Sequence, residues 1–238
     1  MIRLAAEPAA FCEEYCLAMT HPWLSERIAQ NEIKCNRITQ LQTRTMNQYL
    51  ASSDIVNWQH PDVFARAREL SRDTVGHEDV ARSCFEYVRD QIKHSLDYEL
   101  NPVTCKASEV LEHKTGYCYA KSHLLAALLR ANSIPTGFCY QRLTVEDNPT
   151  SFCLHGLNAV YVPGIGWYRV DARGNKPGVE AIFTPPTEKL AFRVGMEGEA
   201  DLPEIWPEPL PQVIRVLTSC SDFQEVAKNL PDVEIIRI

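Results

Sequence analysis

Two hydrophobic periods divide the chain. Up to about residue 131 apolar residues recur three and four apart, as on helices; from Thr136 to Asp171 they alternate, as on strands. In the first part, Ala9, Phe11, Cys12, Tyr15, Cys16 and Met19 follow the helical spacing. His21-Pro22 interrupts it, and the pattern resumes from Trp23 to about Leu50. Pro61-Asp62 predicts a new helix at its first turn, with Phe64, Ala67 and Leu70 as its apolar stripe. Val80, Cys84, Tyr87, Val88 and Ile92 mark the next helix. Ser108 is expected to cap a short turn carrying Val110 and Leu111. The segment beginning at Cys118 is apolar nearly all round, which predicts a buried helix ending at Asn132-Ser133-Ile134-Pro135.

The strand text follows. Phe138, Tyr140 and Arg142 alternate with Cys139, Gln141 and Leu143, and Glu146-Asp147-Asn148-Pro149 reads as a turn. Leu157, Ala159 and Tyr161 alternate with Asn158, Val160 and Val162. Pro163-Gly164-Ile165-Gly166 reads as a hairpin loop before a returning strand, Trp167 to Asp171. Proline-rich text covers 177–211, and Val213 to Lys228 predicts a closing helix. The expected fold class is therefore α+β. A helical region over 1–75 packs on a core over 76–238 that ends in the proline-rich segment and the helix.

Composition narrows the function. The 238 residues are 45% hydrophobic and 23% charged, an ordinary globular balance. A net charge of -7 and scattered Lys and Arg argue against a nucleic-acid partner. No apolar run reaches membrane-spanning length, and Met1 to Pro8 lacks the apolar core of a signal peptide. Nine cysteines, an odd number, then suggest a reducing cytoplasm in which most are small buried hydrophobes.

One cysteine stands apart. In Thr115-Gly116-Tyr117-Cys118-Tyr119-Ala120 it opens the buried helix, where the positive end of the helix dipole favours the reactive thiolate. A histidine follows at a strand start (Leu154-His155-Gly156) and an aspartate at a strand end (Arg169-Val170-Asp171). That is the layout of a thiol nucleophile, its base and the carboxylate that orients the base. The hairpin sets a geometric condition, because side chains alternate with period two. If Val162 pairs with Gly166, the loop is Pro163, Gly164 and Ile165, and His155 and Asp171 share a sheet face as diagonal neighbours. A loop of two or four residues would separate them.

These segments resemble a known family. Ala107-Ser108-Glu109-Val110-Leu111, then Lys114 to Ser122 and Leu128 to Pro135, are similar to the core of the transglutaminase-like superfamily. Leu154 to Ala159 and Gly166 to Arg173 resemble its His and Asp motifs, in order, over about residues 80–175. The resemblance implies a papain-like fold, with a central helix bearing Cys on an antiparallel sheet bearing His and Asp. It implies Cys118 as nucleophile, His155 as base and Asp171 as orienter, with no cofactor. Tyr119 stands where cross-linking members often have Trp, and there is no room for their additional β-domains. The chain looks like the compact prokaryotic branch, more often peptidases or amidases.

The expected reaction is thiol-dependent acyl transfer on a peptide or amide, with water as acceptor. An amine-accepting transglutaminase, an acyltransferase and a non-catalytic module keeping the fold are the alternatives. The Cys118 N–H is a natural oxyanion donor; Gln91, His94 and Tyr98 are candidates for a side-chain donor, and Tyr119 and Trp167 for the cleft. Cys105, His113, Cys118 and His123 form a weaker rival, a metal cluster without CxxC or HExxH spacing.

Overall fold

The computed structural model describes residues 46–145 and 148–233. The chain divides into two compact units, Met1–Met46 and Asn47–Ile238, and the description below is of the second. The helices expected before residue 46 lie outside the described residues. The elements are α1 (Pro61–Leu70), α2 (His77–Gln91), β1 (Lys93–His94), α3 (Ala107–His113), β2 (Thr115–Gly116) and α4 (Cys118–Ala131). They continue as β3 (Thr136–Val145), β4 (Asn148–Val162), β5 (Gly166–Val170), β6 (Ala200–Asp201), α5 (Pro211–Ser219) and α6 (Phe223–Lys228).

Helix α4 is the axis of the core. Leu124, Leu125, Leu128 and Leu129 are fully buried in it, each worth about 1.5–3 kcal/mol of transfer free energy. Val63 and Ala67 of α1, Cys84, Phe85 and Val88 of α2, and Val110 of α3 join the same core. So the stretch from Val56 to Leu70 packs with the rest of this unit.

The expected all-round burial of α4 extends to its polar residues, each of which needs a partner in a dry interior. The Lys121 ammonium donates to the carbonyl of Ile92. His123 Nδ1 pairs with the Cys105 carbonyl at 2.7 Å. Arg130 donates to the carbonyls of Ala51 and Thr136 at 2.8–3.1 Å.

The other side of α4 faces a four-stranded antiparallel sheet in the order β5-β4-β3-β6. Buried Asn158 of β4 ties sheet to helix, donating to the Ser122 carbonyl at 3.1 Å. β1 and β2 form a separate short parallel pair, His94 beside Gly116, just ahead of Cys118.

Three expectations change. His155, expected at a strand start, lies in the middle of β4, whose first residues, Asn148 and Pro149, fall in the expected turn. The turn around Ser108 is a helix, α3, and its start is closed by Glu109, whose carboxylate accepts the Cys105 and Lys106 N–H groups at 3.0 Å. The closing helix is two helices, α5 and α6. Asp222 caps α6 by accepting the Glu225 N–H at 2.8 Å, and Glu225 accepts the Ser221 N–H in return. Extended backbone at Cys220 ends α5, and this reciprocal cap fixes the start of α6.

Candidate active site

The β4–β5 hairpin pairs Val162 with Gly166, so its loop is Pro163, Gly164 and Ile165. Gly164 and Gly166 have φ of +83° and +95°, the left-handed region that a three-residue hairpin loop uses. The ladder runs to Asn158 opposite Val170, which carries His155 and Asp171 onto one sheet face. His155 Nε2 and Asp171 Oδ2 lie 2.7 Å apart.

Asp171 is completely buried and accepts two further hydrogen bonds. Oδ1 takes the Arg173 N–H and Oδ2 the Ala191 N–H, both at 3.1 Å. Burial opposes its ionisation, but the His155 cation and these N–H donors outweigh that and hold the carboxyl below its ordinary value. Phe192 sets its ring edge-on to His155, centroids 4.9 Å apart at 88°.

Cys118 is the first residue of α4 and points at the same place. Its Sγ accepts the Gly156 N–H at 3.5 Å, and it lies close enough to the His155 ring to favour the charged imidazolium. Nε2 is taken by Asp171, which leaves Nδ1 for the thiol. Burial disfavours a charged His155, yet Asp171 and then Cys118 overcome this and push its pKa up to about 10. Exposure falls from 7% at Cys118 to 5% at His155 and 0% at Asp171. The thiol therefore meets solvent while the carboxylate works from below.

The sheet comes this close because residue 156 is glycine. A Cβ there would stand 2.8 Å from the Tyr119 ring, 3.3 Å from the Tyr119 Cα. Gly156→Ala is expected to push β4 away from α4 and cost about 1–3 kcal/mol. The loss of Cys118 labelling should exceed the loss of stability, read by alkylation rate beside a thermal melt. Labelling at the native rate would show that the approach is not needed.

The other candidates separate. Tyr119 lines the cleft, but its hydroxyl is committed to the Leu154 carbonyl. Gln91 ends α2 on the exposed surface, away from the cleft. Tyr98 is 56% exposed under the Lys93 ammonium. Trp167 packs edge-on against Tyr49 and Tyr161, outside the cleft. The odd register that brings Asp171 to His155 also fixes where neighbouring β5 side chains fall.

His94 does line the cleft beside Cys118 and His155. Its Nδ1 is buried without a hydrogen-bond partner, 3.8 Å from Asp97 Oδ2. Burial, reinforced by the Arg173 guanidinium, lowers its pKa well below 6.5, so the ring is neutral.

Of the rival metal set, Cys105 and His123 meet only through the Cys105 carbonyl, and His113 is exposed. Among the described residues no three His, Cys, Asp or Glu side chains converge as ligands.

One cluster was not anticipated. Asp97 receives Arg173 through both guanidinium nitrogens, at 2.7 and 3.0 Å, and Lys176 at 2.6 Å. Burial works against its charge, but these two cations hold its pKa down to about 2. Through Arg173 it pins the chain leaving Asp171. Asp97 and Arg173 are far apart in sequence and share no motif, so no local pattern marks them.

A cleft of about 1170 Å³ opens over Cys118 and His155. Its walls mix apolar residues, Leu143, Leu190 and Leu230 among them, with the Arg173 and Lys176 cations.

Known proteins show the following likenesses to this chain. The chain shares 18% identity with a candidate cysteine protease from Cytophaga hutchinsonii, over 54% of this chain and 42% of that one, at a TM-score of 0.44. It shares 21% with the periplasmic domain of TgpA from Pseudomonas aeruginosa, over 55% of this chain and 47% of that one, at 0.43. The chain thus spans less than half the length of either structure. No curated protein matches it. The family model of the transglutaminase-like superfamily matches from residue 65 to residue 172, a stretch that contains Cys118, His155 and Asp171. Helix, hairpin and cleft all fall in or beside that stretch: residues 65–172 are a domain of the transglutaminase-like superfamily.

Proposed function

We propose that the chain is a cysteine-dependent hydrolase of peptide or amide bonds. The observation that carries this reading is the line Asp171–His155–Cys118, with its 2.7 Å contact and its shared thiol at the floor of a cleft. In this reading the Cys118 thiolate attacks the carbonyl carbon, and its C–S bond forms as the C=O electrons move to oxygen. The Cys118 N–H, at the helix start, and neutral His94 are the donors we assign to that oxyanion. The C–N bond then breaks, and the amine leaves with the proton from His155 Nδ1. Water, losing a proton to His155, attacks the thioester and releases the acid, and the thiolate returns. Asp171 keeps the ring oriented and its cationic form stable. A reducing compartment belongs to the same proposal, since the nucleophile must remain a thiol.

The test is thiol alkylation followed by mapping of the modified residue. Cys118 is expected to react with iodoacetamide at least about tenfold faster than any other cysteine near pH 7. Burial raises the five other described thiols, Cys84, Cys105, Cys139 and Cys153 up to about 12 and Cys220 in the same direction. His155→Ala should flatten the rate–pH profile of Cys118, because no imidazolium then faces the thiolate. A different fast cysteine, or a profile untouched by His155→Ala, would defeat the reading.

A further inference from the structure

Resting on that reading, we infer that residues 223–233 form a strap that closes one end of the cleft, so that the substrate is cut near a chain end and not in its interior. The strap is held on both banks. On the helix side, the Tyr117 hydroxyl donates to the Phe223 carbonyl at 2.5 Å, and the Phe223 N–H donates to Asn101 Oδ1 at 3.0 Å. Tyr117 is the residue before Cys118. On the sheet side, the Leu154 N–H donates to the Pro231 carbonyl at 2.7 Å, and Leu154 is the residue before His155.

The strap thus ties the residue preceding the nucleophile to the residue preceding the base. Its middle faces the cleft, where Ala227 and Leu230 stand beside Tyr117 and Leu154. It is built firmly. Val226 is fully buried in the core, and Asp222 caps α6. Beyond Pro231, Asp232 makes a two-point ion pair with Arg142, at 2.7 and 2.8 Å, and Arg142 lies 3.7 Å over the Phe152 ring.

The hydrogen bond to Leu154 has a specific consequence. β5 pairs with β4 only from Asn158 onward, so beside His155 that edge of β4 is left unpaired by the sheet. An extended peptide crossing the thiol in that direction would need this edge for its backbone. Pro231 already uses the Leu154 N–H. A substrate entering from the open side therefore meets the strap soon after the reacting carbonyl, which leaves room for a chain end.

Cleavage of a pool of synthetic peptides about twelve residues long, mapped by mass spectrometry, tests this. The pool is supplied free, N-acetylated or C-amidated, so the arms tell which end is required. The full chain is expected to cut within about two residues of one end, with about tenfold or greater loss when that end is blocked. A variant lacking residues 229–238 should cut internal bonds at least about tenfold faster than the full chain. Asp232→Ala, which keeps the chain length, should shift cleavage the same way, by about two- to fivefold, the scale of one exposed ion pair. Internal cleavage by the full chain, or a cleavage map unchanged in both variants while their melts match the full chain, would overturn the strap. Fast labelling of Cys118 by iodoacetamide, read in parallel, separates the two ideas: if it is lost, the thiol reading fails with the strap, and if it persists with internal cleavage, only the strap fails.

Discussion

Cys118→Ala should leave a folded protein whose peptide or amide hydrolysis has dropped by about four orders of magnitude or more. The size follows from the chemistry: the other thiol lining the cleft, Cys153, is pushed up to about 12 by burial, so losing Cys118 removes the thiolate route. The fold should survive because the change removes one sulfur atom at a position already open to the cleft, 7% exposed. That costs on the order of 1 kcal/mol of lost contacts, far less than a core truncation. Hydrolysis rate and thermal melt should be measured on the same preparation. A variant that keeps native turnover would remove Cys118 from the mechanism, whatever its position.

Asp171→Asn should lower kcat by about two to four orders of magnitude and leave KM within about twofold. The carboxylate accepts N–H donors at both oxygens: Arg173 at Oδ1, His155 and Ala191 at Oδ2. An amide has one accepting oxygen. Its NH2 group must face either the Arg173 N–H or the His155 and Ala191 pair, and some donor is left unsatisfied at about 1–3 kcal/mol. The variant should therefore melt lower as well.

The pH dependence separates charge from packing. His155 has its pKa raised from 6.5 to about 10 by Asp171 and Cys118 against burial. The stability this gives is fully present below pH 6.5 and is lost as pH rises toward 10. Asp171, held below 3.8, gives stability that is present above that value and lost as pH falls through its lowered one. In Asp171→Asn the His155 cation loses its main support while burial still opposes it. The alkaline limb of kcat/KM should move to lower pH, and a limb that stays in place would show that Asp171 does not sustain the cation.

Much of the site was legible because it rests on local rules. Side-chain alternation, one glycine in the loop and a second at the start of β5 are enough to place His155 and Asp171 on one face. The start of an apolar helix is enough to place Cys118 at a helix N-terminus. The three-residue loop is the observed one, with both glycines in the left-handed region. The same rules could not sort the oxyanion candidates. Gln91, His94 and Tyr98 lie within eight residues of each other, yet only His94 turns into the cleft. The β1–β2 pairing that seats His94 beside Gly116 joins segments more than twenty residues apart. Tyr119 read as a cleft residue, and it is one, but the hydroxyl is engaged by a carbonyl on a strand from a distant part of the chain.

What the sequence by itself determined was the alternation of helix and strand, the hairpin register and the order in which Cys118, His155 and Asp171 follow one another on those elements. These follow from backbone period, turn chemistry and dipole direction, which act over a few residues. Tertiary structure alone decided three things: the Ala191 N–H and the Phe192 ring around the pair, the Asp97–Arg173 clamp, and the strap from Phe223 to Val233 across the cleft. Each joins segments separated by 20 to 122 positions. Their meeting depends on how helices and loops dock over the sheet once apolar faces are buried, and no periodicity along the chain carries that information.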